Sequence, residues 1–399
     1  MQSYRDDFFA WEQCKLGDVA EIVGGGTPST KKSEYWNGNI NWFSPAEIGN
    51  QIFVSHSQKQ ITELGLMKSS AKILPAGTIL FTSRAGIGNT AILTRNACTN
   101  QGFQSIVPYS NKLDSYFIYS ESAKLKRYGK TMGSGSTFTE VSGKQMKKMS
   151  LHIPNINEQA KIGNMLKILD QTITLHEEKR QQLERLKSAL SQKIFADKSG
   201  YPSVRFKGFG GKWDQCKLGN VGTFRGGFGF PENEQGNIDG IAFYKVSDMN
   251  DSCNTLTMRK ASNYVTSSQI SKNKWKPILN QNIIFAKVGA AVYLERKRKA
   301  MGPFLLDNNM MAFQPKDADI DYIYYVFQRL RISKHAQVGT LPSLNASELR
   351  NITIYIPSLN EQKAVADLMV SLDHTVILYD FKLELLKKLK SSLLQHMFI

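Results

Sequence analysis

The sequence is poor in the residues that reactive sites are built from. Its 399 residues include four cysteines, Cys14, Cys98, Cys216 and Cys253, and no two of them form a Cys-x-x-Cys pair. Zinc-ligand spacing is missing. Cys14 and Cys216 occupy the same place in two similar strings, Trp11-Glu12-Gln13-Cys14-Lys15-Leu16-Gly17 and Trp213-Asp214-Gln215-Cys216-Lys217-Leu218-Gly219, so the cysteines read as small buried thiols and no disulfide framework is expected. The six histidines are scattered without a His-Glu-x-x-His, and the acidic residues form no metal cluster. A phosphate loop is also absent. Gly129-Lys130-Thr131 has Lys124 where the first glycine belongs, and Gly143-Lys144 is followed by Gln145. The string Gly86-Ile87-Gly88-Asn89-Thr90-Ala91 fits a dinucleotide fingerprint, but an extended segment follows where a helix is required, which makes it a tight turn. No Asn-Pro-Pro-Tyr string of the adenine-methylating kind occurs.

Long apolar runs are lacking too. None approaches the ~18 to 20 residues that span a bilayer, and Met1-Gln2-Ser3-Tyr4-Arg5-Asp6-Asp7 has no basic region followed by an apolar one. The expectation is a cytoplasmic protein with no membrane partner. Acidic residues are in deficit, 34 against 51 Lys plus Arg, giving a formal charge of +17. Such a charge repels itself in a compact fold unless a polyanion answers it, and nucleic acid is the first candidate. A merely basic soluble protein is the alternative. The charge is not gathered on one amphipathic helix or tail, which argues against a membrane surface. With 41% hydrophobic and 10% aromatic residues, the chain can bury sizeable cores, and its length suggests two to three domains.

What the sequence has is a repeat. Ile153-Pro154-Asn155-Ile156-Asn157-Glu158-Gln159 opens a helical stretch, and Ile356-Pro357-Ser358-Leu359-Asn360-Glu361-Gln362 opens another 203 residues later. The first carries Ile162, Leu166, Leu169, Ile173, His176, Arg180, Leu183, Lys187, Leu190 and Ile194 in alternating steps of four and three, the seam of a coiled coil. The second repeats it with Val365, Met369, Leu372, Val376, Tyr379, Leu383, Leu386, Lys390, Leu393 and Met397. Leu186 is placed to cover the polar Lys187. Pro154 and Pro357 end the preceding strands, and Asn157 and Asn360 are expected to cap the helices. A helix of about 40 residues rises roughly 60 Å and needs a partner of equal length. Two matching copies, each ending in such a helix, predict antiparallel helices with a module at either end. The Gly-rich segment 197–212 is long enough to join them, reaching about 50 Å if extended.

The modules before each helix are cut into short apolar segments by Gly, Pro and Asn. In the first these are 19–23, 40–43, 73–74, 78–82, 91–93 and 105–107, with a helix over 113–128 broken by Gly129 and Gly133-Ser134-Gly135-Ser136. Trp36 and Trp42 are expected in its core. The second keeps the outline but little of the sequence. Gly226-Gly227-Phe228-Gly229 answers Gly24-Gly25-Gly26, and Ile283-Ile284-Phe285-Ala286-Lys287-Val288-Gly289 answers Ile79-Leu80-Phe81-Thr82-Ser83-Arg84-Ala85-Gly86. The fold class expected is α+β: two pseudo-symmetric mixed α/β modules separated by two long antiparallel coiled-coil helices. A shared scaffold with different contents is what two readers of different targets would look like. Sequence in DNA is read at base edges, where Arg suits guanine and Asn or Gln suits adenine, while cations on phosphates set register. Loop-placed candidates are Thr27, Ser29, Arg84, Asn100, Gln101, Ser134 and Thr137 in the first module and Arg225, Lys287, Asn308, Asn309 and Thr340 in the second. Candidates for phosphate are Lys144 with Lys147-Lys148, Lys272 with Lys274 and Lys276, and Arg296-Lys297-Arg298-Lys299. Turn chemistry and a solvated charged face explain the same residues equally well.

The strings Trp11 to Val19, Gly25-Gly26-Thr27-Pro28-Ser29, Tyr35-Trp36-Asn37-Gly38-Asn39-Ile40-Asn41-Trp42, Arg84-Ala85-Gly86-Ile87-Gly88, Asn100-Gln101-Gly102-Phe103 and Ile153-Pro154 with Asn157-Glu158-Gln159 resemble the specificity subunit of type I restriction-modification systems. The likeness covers nearly the whole chain. The second module lacks the Thr-Pro-Ser and Tyr-Trp strings. The resemblance implies target recognition domains at 1–152 and 213–355, helical regions at 153–196 and 356–399, and a linker at 197–212. It implies a chain without catalysis or cofactor of its own that reads one half of a bipartite, asymmetric site in double-stranded DNA with each domain. The helices would act as spacer and as docking surface for two methyltransferase subunits. S-adenosylmethionine, ATP and Mg would belong to those subunits and to restriction/translocase subunits. Two other readings stay open: a coiled-coil scaffold with protein-binding modules, and a nuclease or methylase with an unseen site.

Overall fold

The computed structural model describes residues 11–49, 51–84, 86–133, 140–337, 339 and 341–398. Its contacts divide into two units, Met1–Glu177 with Phe381–Ile399, and Glu178–Asp380. Each unit therefore combines one module with half of each long helix.

The first module is closed on itself. Glu12–Lys15 pairs antiparallel with Ser150–Ile153, which brings its two ends together before Pro154, lacking an amide hydrogen, stops the ladder. Between them lies a five-stranded sheet ordered Ala20–Gly24, Gln104–Pro108, Ile79–Phe81, Thr90–Leu93, Phe53–Val54, and a three-stranded sheet ordered Lys59–Ile61, Trp36–Phe43, Cys98–Thr99. Ile79–Phe81 and Thr90–Leu93 are buried at every position, and their continuous apolar runs made them legible. Segment 73–74, expected as a strand, supplies only the single bridge between Leu74 and Ala97. The expected helix is two, Ser115–Ser120 and Ser122–Gly133, parted at Glu121. Gly129 does not break the second; a Cβ there would lie 2.8 Å from the Phe81 ring, so the glycine admits close packing.

The second module repeats this plan strand for strand. Asp214–Lys217 pairs with Thr353–Ile356, the five-stranded order is Gly222–Gly226, Met310–Pro315, Asn282–Ala286, Lys297–Ala300, Thr257–Met258, and the three-stranded order is Tyr264–Val265, Ile241–Tyr244, Phe304–Leu306. A small ladder of Ala336–Gln337 with Ser343–Leu344 also belongs to it.

The long helices run Ile156–Lys193 and Leu359–Met397. The first is capped by Asn155, whose Oδ1 accepts from Glu158 N at 3.0 Å; Asn157 and Asn360, expected as caps, lie inside their helices because each begins earlier than the pattern implied. The repeated Glu-Gln pair has a defined task. Trp11 and Trp213 each donate an indole hydrogen to Oε1 of Glu158 and Glu361 at 3.3 Å. Gln159 accepts from Asp114 N and donates to Pro154 O, as Gln362 accepts from Asp319 N and donates to Pro357 O. One glutamate and one glutamine thus lock each helix start to its module.

Within each unit the helices are antiparallel. In the first, Asp170 pairs with Lys390 and Glu177 with Lys387; in the second, Arg180 pairs with Asp380 and Lys187 with Asp373. No seam position is exposed, but the seam does two jobs. Ile162 and Leu166 join the first module's core, with Leu393 and Met397 packed on it, while Leu169, Ile173, Leu383 and Leu386 form a separate interhelical cluster. Ile194, Val365, Met369 and Leu372 join the second module's core, with Leu183 and Leu190 against it. Val376 and Tyr379 are half-buried. Leu186 does not cover Lys187 as expected: it stays 48% exposed, and Lys187 keeps its place through the ion pair. The helix ends plug the modules. Phe398 lies 5.8 Å from Trp11 and 5.2 Å from Phe117, and Phe195 lies 5.5 Å from Tyr322.

Segment 197–212 is fastened to the second unit. Val204 N donates to Lys193 O, Tyr355 Oη to Lys198 O and Trp213 N to Gly200 O. Arg205 grips Glu361 with two bonds of 2.7 and 2.8 Å and donates to the carbonyls of Gly210 and Gly211. Glu361 is almost wholly buried, so Arg205→Ala strands a carboxylate. The expected cost is about 3 kcal/mol, read as a lower urea midpoint for the second unit.

Candidate nucleic-acid interface

In the first module the strand Ala20–Gly24 runs out over the loop that follows Cys98–Thr99. A Cβ on Gly25 would lie 2.0 Å from Asn100 O and 2.4 Å from Thr99 O, so glycine is required for this crossing. Beyond it the Thr27 hydroxyl donates to Gln101 Oε1. Asn100 Oδ1 accepts from Gly102 N at 2.8 Å, a tight turn that leaves Gln101 exposed at the tip. Ser83 N donates to Gly102 O, and Val141 N to Ser83 O, which brings the loop of Arg84 and the segment at 140–142 to the same place. Arg84 is half-exposed, with Nη1 4.0 Å from Glu140. The helix Gly143–Lys147 abuts Gln104 and carries Lys144 exposed on its first turn.

The second module makes the same crossing with other residues. A Cβ on Gly227 would lie 2.0 Å from Asp307 O and 2.4 Å from Leu306 O. Asp307 Oδ1 accepts from Asn309 N at 2.6 Å, leaving Asn308 and Asn309 exposed. Lys287 N donates to Asn309 O, Leu344 N to Lys287 O and Gly289 N to Pro342 O. Arg225 stands beside them, its guanidinium 6.0 Å from the Phe228 ring and bonded to Lys276 O.

The folds therefore gather Thr27, Arg84, Asn100 and Gln101 in one unit, and Arg225, Lys287, Asn308 and Asn309 in the other. Ser29 lies outside this cluster in the first module; it is exposed and its carbonyl accepts from the Trp36 indole. Lys274 is an exposed helix end with a left-handed backbone, φ 51°. Ser134, Thr137 and Thr340 lie outside the described residues. Trp42 is buried, donating to Gly26 O, and Trp36 packs edge-on against it at 5.1 Å.

The run Arg296-Lys297-Arg298-Lys299 does not present four free cations, since each side chain has a partner within the module. Lys297 is buried against Glu295 and Leu330 O, and burial pulls its pKa below the usual lysine value. Arg298 bonds Asn254 O, Lys299 pairs with Asp321, and Arg296 bonds Asn250. Lys272 is likewise paired, with Glu234. Charge was legible in the sequence; the internal partners were not. The cysteines are all free, and they meet the expectation of buried thiols only in part. Cys98 is buried and its thiol pushed up to about 11 by burial, Cys14 and Cys216 are half-buried, and Cys253 is exposed. Among the described residues no group of three His, Cys, Asp or Glu could hold a metal ion, and no helix is long and apolar enough to cross a membrane.

The family model for the type I restriction modification DNA specificity domain matches this chain twice, over residues 10–185 and 210–388. The specificity subunit of the type I restriction enzyme MjaIX of Methanocaldococcus jannaschii is 28% identical over 400 residues, covering 96% of this chain and 91% of that protein. That of EcoR124I/EcoR124II of Escherichia coli is 32% identical over 185 residues, 43% of this chain and 44% of that protein. In fold, the chain is similar to a crystal structure of the S subunit of a type I restriction-modification system from M. genitalium, with a TM-score of 0.61 at 15% identity, covering 100% of this chain and 98% of that one.

Proposed function

The chain belongs to the type I restriction modification DNA specificity family, and from that premise we propose how it recognises its target. It is the DNA-recognition subunit of a type I complex, and each module reads one half of a bipartite, asymmetric site. The observation that carries this is the loop cluster built twice on the same crossing glycine. The scaffold is held constant by Gly25 and Gly227, while the side chains at the tip change from Gln101 with Arg84 to Asn308, Asn309 and Lys287. Amide and guanidinium groups at the tips of loops suit bidentate contacts to base edges. Lys144 and its exposed neighbours Lys147 and Lys148 serve phosphates and set register.

The long helices set the separation of the two readers, and their exposed apolar residues, among them Leu175, Leu378 and Leu385, dock the partners. Those partners are two methyltransferase subunits and the restriction/translocase subunits. They bring S-adenosylmethionine, ATP and Mg, and this chain contributes recognition without catalysis.

A pool of randomised duplexes, selected by the chain assembled with its modification subunits, is expected to yield two short defined sequences at a fixed spacing. Binding should weaken steeply with salt, log Kd rising with a slope of about 0.9 per phosphate neutralised. A selection without any consensus, or affinity indifferent to salt, would sink this reading and favour a protein-binding scaffold.

A further inference from the structure

Asp170 and Asp373 stand at the same place in the two long helices, 203 residues apart, and each lies beside a seam leucine, Leu169 and Leu372. Their side chains are only 9% and 7% exposed. Around each, three elements meet. In the first unit Asp170 Oδ2 accepts from the Tyr116 hydroxyl at 2.8 Å, and Oδ1 pairs with Lys390 of the other long helix at 2.5 Å. In the second, Asp373 Oδ2 accepts from Tyr325 at 2.6 Å and Oδ1 pairs with Lys187.

The tyrosines do not correspond in sequence. Counted from the helix caps Asp114 and Asp319, Tyr116 is the second residue and Tyr325 the sixth. The Asp–Lys pair comes with the repeat, but the two modules reach the same carboxylate from different positions, so the tyrosine contact is not a by-product of repeated sequence.

A carboxylate this buried is tolerable only with its partners in place. In an antiparallel pair, a slip of one heptad changes what faces it. Seven residues either side of Lys390 are Leu383 and Met397; seven either side of Lys187 are Arg180 and Ile194. A slip in one direction sets Asp170 against Leu383. In the other direction it sets Asp170 against Met397 and Asp373 against Ile194. The apolar positions of the seam, repeating every heptad, do not by themselves distinguish the registers; the plugs at Phe195 and Phe398 act with the joints.

We propose that Asp170 and Asp373 are positioning residues: buried joints that select one register of the helix pair and tie each module to it, and so fix the spacing of the two half-sites. The spacing part rests on the reading that the helices set the separation of the modules. One heptad is about 10.5 Å of helix and about three base pairs of DNA.

The test replaces both ion pairs by leucine, Asp170→Leu with Lys390→Leu and Asp373→Leu with Lys187→Leu, in the full chain with Cys253→Ser. Bismaleimide cross-linking of Glu177→Cys to Lys387→Cys reports the register of the structure; Glu184→Cys to Lys387→Cys reports the slip. The slipped cross-link is expected to rise from a trace to a share comparable with the native one. The preference for the selected DNA site over copies with three base pairs added or removed should fall about tenfold. An unchanged native cross-link would overturn the joints. A shifted cross-link with unchanged spacing preference would keep the joints as register devices and sink the reading that the helices set the separation. If the four-residue variant does not fold, Asp170→Leu with Lys390→Leu carries the same test at one joint.

Discussion

Gly227→Val is expected to erase recognition of one half-site and leave the other, raising the Kd for the complete target about 100-fold or more. The cause is steric. A Cβ at this position would meet a carbonyl oxygen at 2.0 Å, where contacts under about 3 Å do not occur, and that oxygen belongs to Asp307, whose carboxylate turns the loop carrying Asn308 and Asn309. Both loops have to move, and Lys287, bonded to Asn309 O, moves with them. Reading a few base pairs through displaced side chains forfeits about 1–3 kcal/mol at each. Gly25→Val should do the converse through Asn100 and Gln101. The measurement is Kd for the full site and for each half randomised in turn. Equal weakening of both halves by either variant would show that the modules do not read independently. A melting temperature within a few degrees of the parent's separates a displaced loop from an unfolded module.

Much of this architecture was visible in the residues because it rests on periodicity. The alternation of four and three over ten positions located both helices, and continuous apolar runs located Ile79–Phe81 and Thr90–Leu93. What escaped was what periodicity does not encode. Phe53–Val54, Cys98–Thr99, Thr257–Met258 and Tyr264–Val265 are two residues long, too short to show alternation, and exist because a neighbouring strand templates them. Asn155 caps the first helix rather than Asn157, since a cap is chosen by where the chain turns. Lys297 looked like a surface cation because its partners, Glu295 and Leu330 O, depend on the fold.

The candidate site was legible in part for the same reason. Gly25 and Gly227 announce close approach, but which loop approaches is a tertiary fact. The joints left a signal that could have been followed: an Asp beside a seam leucine at 170 and 373, and a Lys within the seam at 187 and 390, both repeated at the 203-residue offset. A lysine in a seam is unstable alone, and its repetition implies a buried anion near it. Arg205 has no such signal. Its target, Glu361, matches Glu158 in sequence, yet only Glu361 holds an arginine among the described residues, because the segment before Trp213 folds back onto its own module.

Deleting one heptad from each helix, residues 177–183 and 377–383, is expected to shorten the unspecified spacer by about three base pairs while leaving both half-sites intact. The cut falls where the two units meet in sequence, so it removes the Arg180–Asp380 and Glu177–Lys387 pairs, which are exposed and individually contribute about 1 kcal/mol or less. It also removes Leu183 and Leu383, a larger loss, since Leu383 is 6% exposed in the interhelical cluster. Stability should therefore fall, but the buried joints at Asp170 and Asp373 remain and hold the shortened pair in the matching register. The helical phase survives as well. Seven residues make nearly two turns, leaving each seam on almost the same face. Deleting four residues from each helix instead leaves the seams of the two halves about 40° out of phase, twice the offset that seven residues leave, so the two joints cannot both stay aligned along one straight pair, and binding should fall well below that of the seven-residue variant at any spacing. Selection of the seven-residue variant on randomised duplexes reads the outcome. Half-sites recovered at the parent spacing would mean that the separation is set by something other than these helices.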